Sequence, residues 1–407
     1  MYSFSRAFVS PRSSPIRDLF KYLSDPDMIS FAGGYPDPQL FDVDGLDEAA
    51  QRAYRDSTSC LQYGSTDGIA KLKTQIQSLM ASRGVATEPE NIVVTTGSQQ
   101  AFDLLLRVFV DPGDVVYIES PTYSTNIQAV QVHGARIRAV PTDGDGLDVD
   151  QLEAMLKEDR EAGRPKLLYI VPTFGNPTGA TLTLQRRRRL LELAVKHRFL
   201  IAEDDPYGDL RFSGEPLPSL LALANDIEGA RDWVVHMASL SKIVAPGLRV
   251  AWSIAPVEIA RRCSVAKQSA DVGSSPWIQG IAAEYLASGR LAPHLEHIRG
   301  VYGQKCRALC GALKSSMNEA VSFHEPQGGM FVWAKLEQGL LAADLLKDAI
   351  DRKVMFVPGM GFFADTPDPS TLRLSFAAPS VSRIQDGVDR LSQAWAAAQA
   401  RVMSAPA

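Results

Sequence analysis

Five groups of polar residues in this chain each stand just beyond a short apolar run: Gly97-Ser98-Gln99, Tyr123, Asn176, Asp204 with Tyr207, and Ser239, Ser241 and Lys242; Arg249 follows soon after. Singly, each has a plain structural explanation. Gly97-Ser98 suits a helix cap, Asn176-Pro177-Thr178-Gly179 a turn, and Asp204-Asp205-Pro206 a strand end. As a set their chemistry is complementary. A phosphate calls for N–H groups at a helix start, hydroxyls and a guanidinium, which Ser98, Gln99, Ser239, Ser241 and Arg249 supply. An aldehyde calls for one amine. Lys242, flanked by Ser241 and followed by Pro246-Gly247 that blocks a regular helix, is that amine once its proton is made easier to lose. A pyridine nitrogen stays protonated beside a carboxylate, here Asp204. Asn176 and Tyr207 offer donors to a phenolic oxygen, and Tyr123 an aromatic face for stacking. A phosphorylated aromatic aldehyde needs all of these groups, and none is left over.

Ligands of open parallel sheets collect outside the carboxyl ends of the strands, so the apolar runs are the elements that must position these residues. The runs are Asn91–Thr96, Val115–Glu119, Lys166–Val171, Phe199–Glu203, Trp233–Met237 and Leu248–Ile254. Their Val and Ile content suits strands buried on both faces. Between them Gln99–Val110, Ser124–Val132, Asp150–Arg160 and Leu184–His197 carry helical spacing of apolar residues. The alternation predicts an α/β fold with one large, mostly parallel sheet covered by helices. After about Gly289 a long helix, His294–Ser316, and strands near Gly329–Ala334 and Leu372–Phe376 predict a smaller α+β domain. The expected division is residues 1–42 as a segment crossing between domains, 43–289 as the large cofactor-binding domain and 290–407 as the small one.

With 407 residues, 45% hydrophobic and 22% charged, the chain can bury a large core. A formal net charge of -5 argues against a surface built for nucleic acid or anionic lipid. Met1–Ser14 lacks the apolar stretch of a secretory signal, and no run reaches membrane-spanning length, so a cytoplasmic protein is expected. Cys60, Cys263, Cys306 and Cys310 are too scattered for a disulfide framework, and Cys306 and Cys310, one helical turn apart, lack ligand partners for a metal. The Arg186–Arg189 run reads as a solvated helix face. The acidic series Asp143, Asp145, Asp148 and Asp150 lacks the Gly and Glu of a calcium loop and reads as a turn followed by a helix cap at Asp148.

These residues resemble the fold type I pyridoxal-phosphate enzymes, aminotransferase class I/II, close to the 2-aminoadipate and kynurenine aminotransferase group. The resemblance rests on ISFAGGYP at Ile29–Pro36, LQYG at Leu61–Gly64, TTGSQQ at Thr95–Gln100, NPTG at Asn176–Gly179, EDDPY at Glu203–Tyr207, SLSKIVAPGLR at Ser239–Arg249, QGGMFVW at Gln327–Trp333 and LRLSF at Leu372–Phe376. It implies an aspartate aminotransferase-like fold with a seven-stranded large sheet, pyridoxal 5′-phosphate as cofactor, and ping-pong transfer of an amino group from an L-amino acid to a 2-oxo acid such as 2-oxoglutarate. Lys242, Asp204 and Tyr123 would be catalytic. Arg373 would hold the substrate α-carboxylate beside Asn176, Gly33 and Gly34 would line the substrate pocket, and Tyr35 would narrow that pocket or hydrogen-bond a substrate. Tyr63 would reach the cofactor phosphate of a neighbouring subunit, so a homodimer is implied, and Arg17 matches a position that contacts acidic side chains in relatives. Gly175, Ala251 and Tyr35 depart from the common pattern, which leaves the side-chain specificity open. Two other readings remain. One is a β-lyase, racemase or decarboxylase on the same cofactor. The other is a ligand sensor fused to a DNA-binding module, for which a match beginning by Pro15 leaves no room.

Overall fold

The structure, a computed structural model, describes residues 2–9, 19–158 and 165–404. Among the described residues fourteen strands form three sheets. In chain order they are β1 Ile29–Ser30, β2 Ile92–Thr95, β3 Val115–Ser120, β4 Arg136–Asp143, β5 Gly146–Leu147, β6 Leu167–Ile170, β7 Leu200–Asp204, β8 Val234–Ser239, β9 Ala251–Ile254, β10 Val321–Phe323, β11 Phe331–Leu336, β12 Val354–Met355, β13 Val357–Pro358 and β14 Thr371–Ser375. The helices used below are α1 Ala70–Ser82, α2 Ser98–Phe109, α3 Ser124–Val132, α4 Val149–Glu158, α5 Leu184–His197, α6 Leu291–Ser316 and α7 Val381–Ser404.

The large sheet runs β2-β9-β8-β7-β6-β3-β4-β5. Strands β8, β7, β6, β3 and β4 are parallel, whereas β9 is antiparallel to both of its neighbours. The central strands β6, β7 and β8 are buried throughout and begin with apolar residues, as helix cover on both faces requires.

Eight strands, rather than the seven implied by resemblance, make this sheet. The addition is β5, a two-residue antiparallel edge strand returning on β4. The acidic series makes its turn, with Asp145 N–H donating to Asp143 Oδ1 at 2.8 Å, and Asp148 Oδ1 then accepts from Asp150 and Gln151 N–H at 3.0 Å as the cap of α4. The end of the predicted Asp150–Arg160 helix lies outside the described residues.

The Arg186–Arg189 run is not a uniformly solvated face. Arg187 is wholly buried, its guanidinium donating to the carbonyls of Leu182, Pro172 and Pro218 and to Thr173 Oγ1. Helical periodicity turns one residue in each such run inward, and the loop carbonyls there supply the acceptors that a buried cation needs. Its neighbours Arg186, Arg188 and Arg189 pair with Asp143, Asp226 and Glu153.

The four-stranded antiparallel sheet β10-β11-β14-β13 lies in the C-terminal third, where α6 packs along α7. The first described strand, β1, pairs in parallel with β12, so the segment carrying Gly33 and Gly34 is stitched to C-terminal residues. The thiols of Cys306 and Cys310 are buried on α6 with their sulfurs 4.0 Å apart. Among the described residues no helix is long and apolar enough to cross a membrane.

Candidate active site

Because β9 is antiparallel to both β2 and β8, the carboxyl ends of β2, β3, β6, β7 and β8 and the start of β9 lie along one edge. The polar groups after those strands therefore converge. Ser98, Gln99, Tyr123, Asn176, Asp204, Tyr207, Ser239, Ser241, Lys242 and Arg249 line one cavity of about 290 Å³, together with Gly34, Tyr35 and Arg373. Tyr63 is 86% exposed and lies away from this cavity, and Arg17 is outside the described residues.

At one end Ser98 opens α2, whose first N–H groups lack helical partners. Ser239 Oγ accepts from Ser241 N–H at 3.0 Å and donates to Ser241 Oγ at 2.8 Å, which clusters two hydroxyls. Arg249 reaches across to Thr96 O at 3.1 Å from a left-handed backbone, φ 53°. Gly97 makes that approach feasible: its φ is 97°, and a Cβ there would collide with the Arg249 guanidinium. Helix terminus, hydroxyls and cation form a cradle for a dianionic phosphate.

Lys242 sits in the turn after β8 and donates to Gly34 O at 2.9 Å. Burial, helped by the cations of Arg373 and Arg249, pulls its amine down to about 8. Asp204 ends β7. Its Oδ2 accepts the Tyr169 hydroxyl at 2.8 Å while Oδ1 is buried without a partner. Burial raises Asp204 to about 6, against the opposing Tyr169 hydrogen bond. A lone buried carboxylate oxygen is costly unless a donor arrives, and a protonated ring nitrogen is such a donor.

Arg373, on β14, is also wholly buried. Its Nη1 donates to Asn176 Oδ1 and its Nη2 to Ala32 O, both at 2.7 Å, while Nε has no partner. The guanidinium lies 4.4 Å from the Phe331 ring centroid and 5.0 Å from that of Phe362. Burial lowers it to about 10, and among the described residues no carboxylate pairs with it. A buried cation held by carbonyl oxygens and aromatic faces is matched by a small anion. Since Asn176 Oδ1 faces Arg373, its amide N–H groups remain available to the cavity. Tyr207 stands edge-on to Phe331, 5.8 Å between centroids, and burial raises its phenol.

Tyr169 escaped the sequence reading, where it was an apolar strand residue. Strand parity was the available signal: Tyr169 pairs with Ala202, two residues before Asp204 and on the same face.

The amine, the carboxylate oxygen lacking a donor, the phosphate cradle and the unmatched cation fit pyridoxal phosphate and an amino acid. The family description "Aminotransferase class I and II" matches residues 27–391. The 2-aminoadipate transaminase of Thermus thermophilus is 40% identical over 384 residues, 94% of this chain and 94% of that protein. Aromatic-amino-acid aminotransferase 1 of Thermococcus litoralis is 38% identical over 393 residues, 96% of this chain and 93% of that protein. The solved α-aminoadipate aminotransferase of Thermus thermophilus, complexed with N-(5′-phosphopyridoxyl)-L-leucine, superposes with a TM-score of 0.89 at 37% identity and covers 98% of both chains. The chain thus belongs to the class I and II aminotransferases, with the aspartate aminotransferase-like fold and the pyridoxal-phosphate-dependent transamination of that family.

Proposed function

We propose that the cavity binds an amino acid and a 2-oxo acid in turn, in a ping-pong transamination for which 2-oxoglutarate is the acceptor. The observation that carries this is the meeting of Lys242, Asp204 and the anion-lacking Arg373 around one cavity. When bound, pyridoxal phosphate supplies an electrophilic aldehyde and a ring that takes up electron density.

The chain's own residues do the rest. Ser98, Gln99, Ser239, Ser241 and Arg249 hold the phosphate, Asp204 keeps the ring nitrogen protonated, Asn176 and Tyr207 donate to the ring oxygen, and Tyr123 stacks on the ring. Arg373 takes the substrate α-carboxylate and so fixes the direction of the Cα–H bond, a positioning effect. Lys242, with an amine near 8, carries the proton to and from substrate Cα close to neutral pH. Gly34 and Tyr35 border the substrate. Tyr35, 43% exposed at the mouth, is placed to contact a side chain. Arg17 remains a candidate contact for an acidic side chain.

The relatives are named for aromatic amino acids and 2-aminoadipate, so large or acidic donors are the first to try. We place the chemistry in a cytoplasmic homodimer, in which Tyr63 from one subunit completes the phosphate cradle of the other. Four buried free thiols are in keeping with a reducing compartment. We assign residues 43–289 to the large domain, 290–407 to the small one and 1–42 to the crossing segment.

The test is a half-reaction screen with both enantiomers of candidate amino acids. A donor should change the absorbance of bound cofactor and release one 2-oxo acid, and added 2-oxoglutarate should restore the spectrum. Product formation with no restoration by any oxo acid would defeat the transfer reading.

A further inference from the structure

Asp204 faces the cofactor cavity, and alternation along a strand turns its neighbours Glu203 and Asp205 toward the opposite face of the sheet. On that face Glu203 is in register with His236 of β8, and His236 Nδ1 lies 2.8 Å from Glu203 Oε2. The same carboxylate accepts from Leu220 and Leu221 N–H at 2.6 and 3.1 Å, so its lone pairs are engaged. His236 is 1% exposed, and its Nε2 is buried with no partner. Burial opposes charge on the ring, but the Glu203 carboxylate beside it raises His236 overall, which favours the protonated ring with a donor at Nε2.

His236 and Asp205 border a second cavity of about 810 Å³, closed by the end of α1, the 208–219 loop and α6. Its remaining walls are rich in cations. Arg83 and Arg299 share the single carboxylate of Asp209, and Arg83 Nε is buried without a partner. Arg211 lies 4.7 Å over the Phe174 ring and bonds Gln327 Oε1 at 3.0 Å, while Arg307 projects from α6. Among the described residues neither pairs with a carboxylate. Four arginines, Arg83, Arg211, Arg299 and Arg307, line the cavity against three carboxylates, Asp205, Asp209 and Glu296.

We propose that this cavity is a second binding site, distinct from the transamination site, for a small organic acid with two or more carboxylates. His236 Nε2 is its innermost donor, and Arg211 and Arg307 are its flanking cations. A ligand there touches the chain neighbours of Asp204 and α6 without entering the cofactor cavity.

Citrate is the probe, titrated calorimetrically into the holoenzyme and into its Arg211→Ala, Arg307→Ala and Arg373→Ala variants, with inorganic phosphate as a parallel titrant. One citrate should bind per chain, with affinity about ten-fold weaker or more in the Arg211 and Arg307 variants, as loss of a charged hydrogen bond gives. Arg373→Ala should leave citrate binding within about two-fold, since that residue belongs to the other cavity. Arg307 is exposed, so its variant decides if Arg211→Ala fails to fold. Absence of binding, or binding lost in Arg373→Ala and retained in the other two, would overturn the site. Binding of phosphate but not citrate would overturn the carboxylate assignment.

Discussion

The Tyr169 hydroxyl donates to Asp204 Oδ2 at 2.8 Å, which pins one carboxylate oxygen and leaves Oδ1 as the acceptor lacking a donor. Asp204→Asn keeps the shape and removes the charge. Cofactor should stay bound while Cα proton removal slows by roughly 10²–10³-fold, the usual cost of losing one preorganised electrostatic contact. Tyr169→Phe removes only the positioning bond and should slow the same step by roughly ten-fold. Single-turnover rates with a deuterated Cα decide both. An unchanged isotope-sensitive rate in Asp204→Asn would refute the electronic role of Asp204.

Parts of the site were legible because the local pattern was clean. LIAED and VVHMAS are buried strands ending in polar residues, so Asp204, Ser239 and Lys242 announced themselves as strand-end groups. Tyr169 was hidden because a tyrosine inside LLYI looks like core, and only the register with β7 shows which face it takes. Strand β4 was missed because Arg136 and Arg138 interrupt its apolar residues near the sheet edge. Arg373 had no local signal at all. LRLSF reads as an ordinary strand, and its partner Asn176 is 197 residues away, so family resemblance alone pointed to it.

Arg373→Lys should separate binding from chemistry. A lysine keeps the charge but loses the fork that engages Asn176 and Ala32 together and the flat cation between Phe331 and Phe362. KM for amino donor and for oxo acid should both rise by roughly 30- to 100-fold, equivalent to about 2–3 kcal/mol. Cofactor retention should not change. A KM shift for one substrate class alone would mean that the carboxylate is held elsewhere.

Lys242 makes the cofactor-free protein pH-sensitive in a defined direction. Its amine is near 8 in the fold against an ordinary value of 10.5, so the unfolded chain binds more protons between those values. Stability therefore rises with pH across that window, and below about 8 the full penalty applies. Cofactor-free Lys242→Met should be more stable than the parent by roughly 2–3 kcal/mol at pH 7, with the difference shrinking toward pH 10. Urea unfolding at several pH values measures this. A difference that stays constant with pH would show that Lys242 is not held at a lowered pKa.

Tyr63 tests the shared site. It is exposed in the single chain, and in the proposed homodimer it would reach the cofactor phosphate of the neighbouring subunit. Lys242→Ala should abolish turnover and Tyr63→Ala should weaken cofactor binding. In the proposed homodimer, co-expression of the two variants should give mixed dimers with one site that has both Lys242 and Tyr63 intact. Activity at limiting cofactor should then exceed that of either variant alone. No recovery in mixed dimers, verified by two affinity tags, would place Tyr63 outside the neighbouring site.

Gly97 links backbone conformation to cofactor retention. At φ 97° a non-glycine residue is strained, and the added Cβ would meet the Arg249 guanidinium. Gly97→Ala should therefore cost about 1–3 kcal/mol of stability and also displace Arg249 from the cradle. Cofactor dissociation constants should rise by roughly ten-fold or more, as they should in Arg249→Ala. The double variant discriminates the cause. If Gly97→Ala acts through Arg249, the two affinity losses fall well short of adding, because the second substitution removes a contact already broken. Full additivity would show that Gly97 supports the phosphate through its own backbone, independently of the arginine beside it.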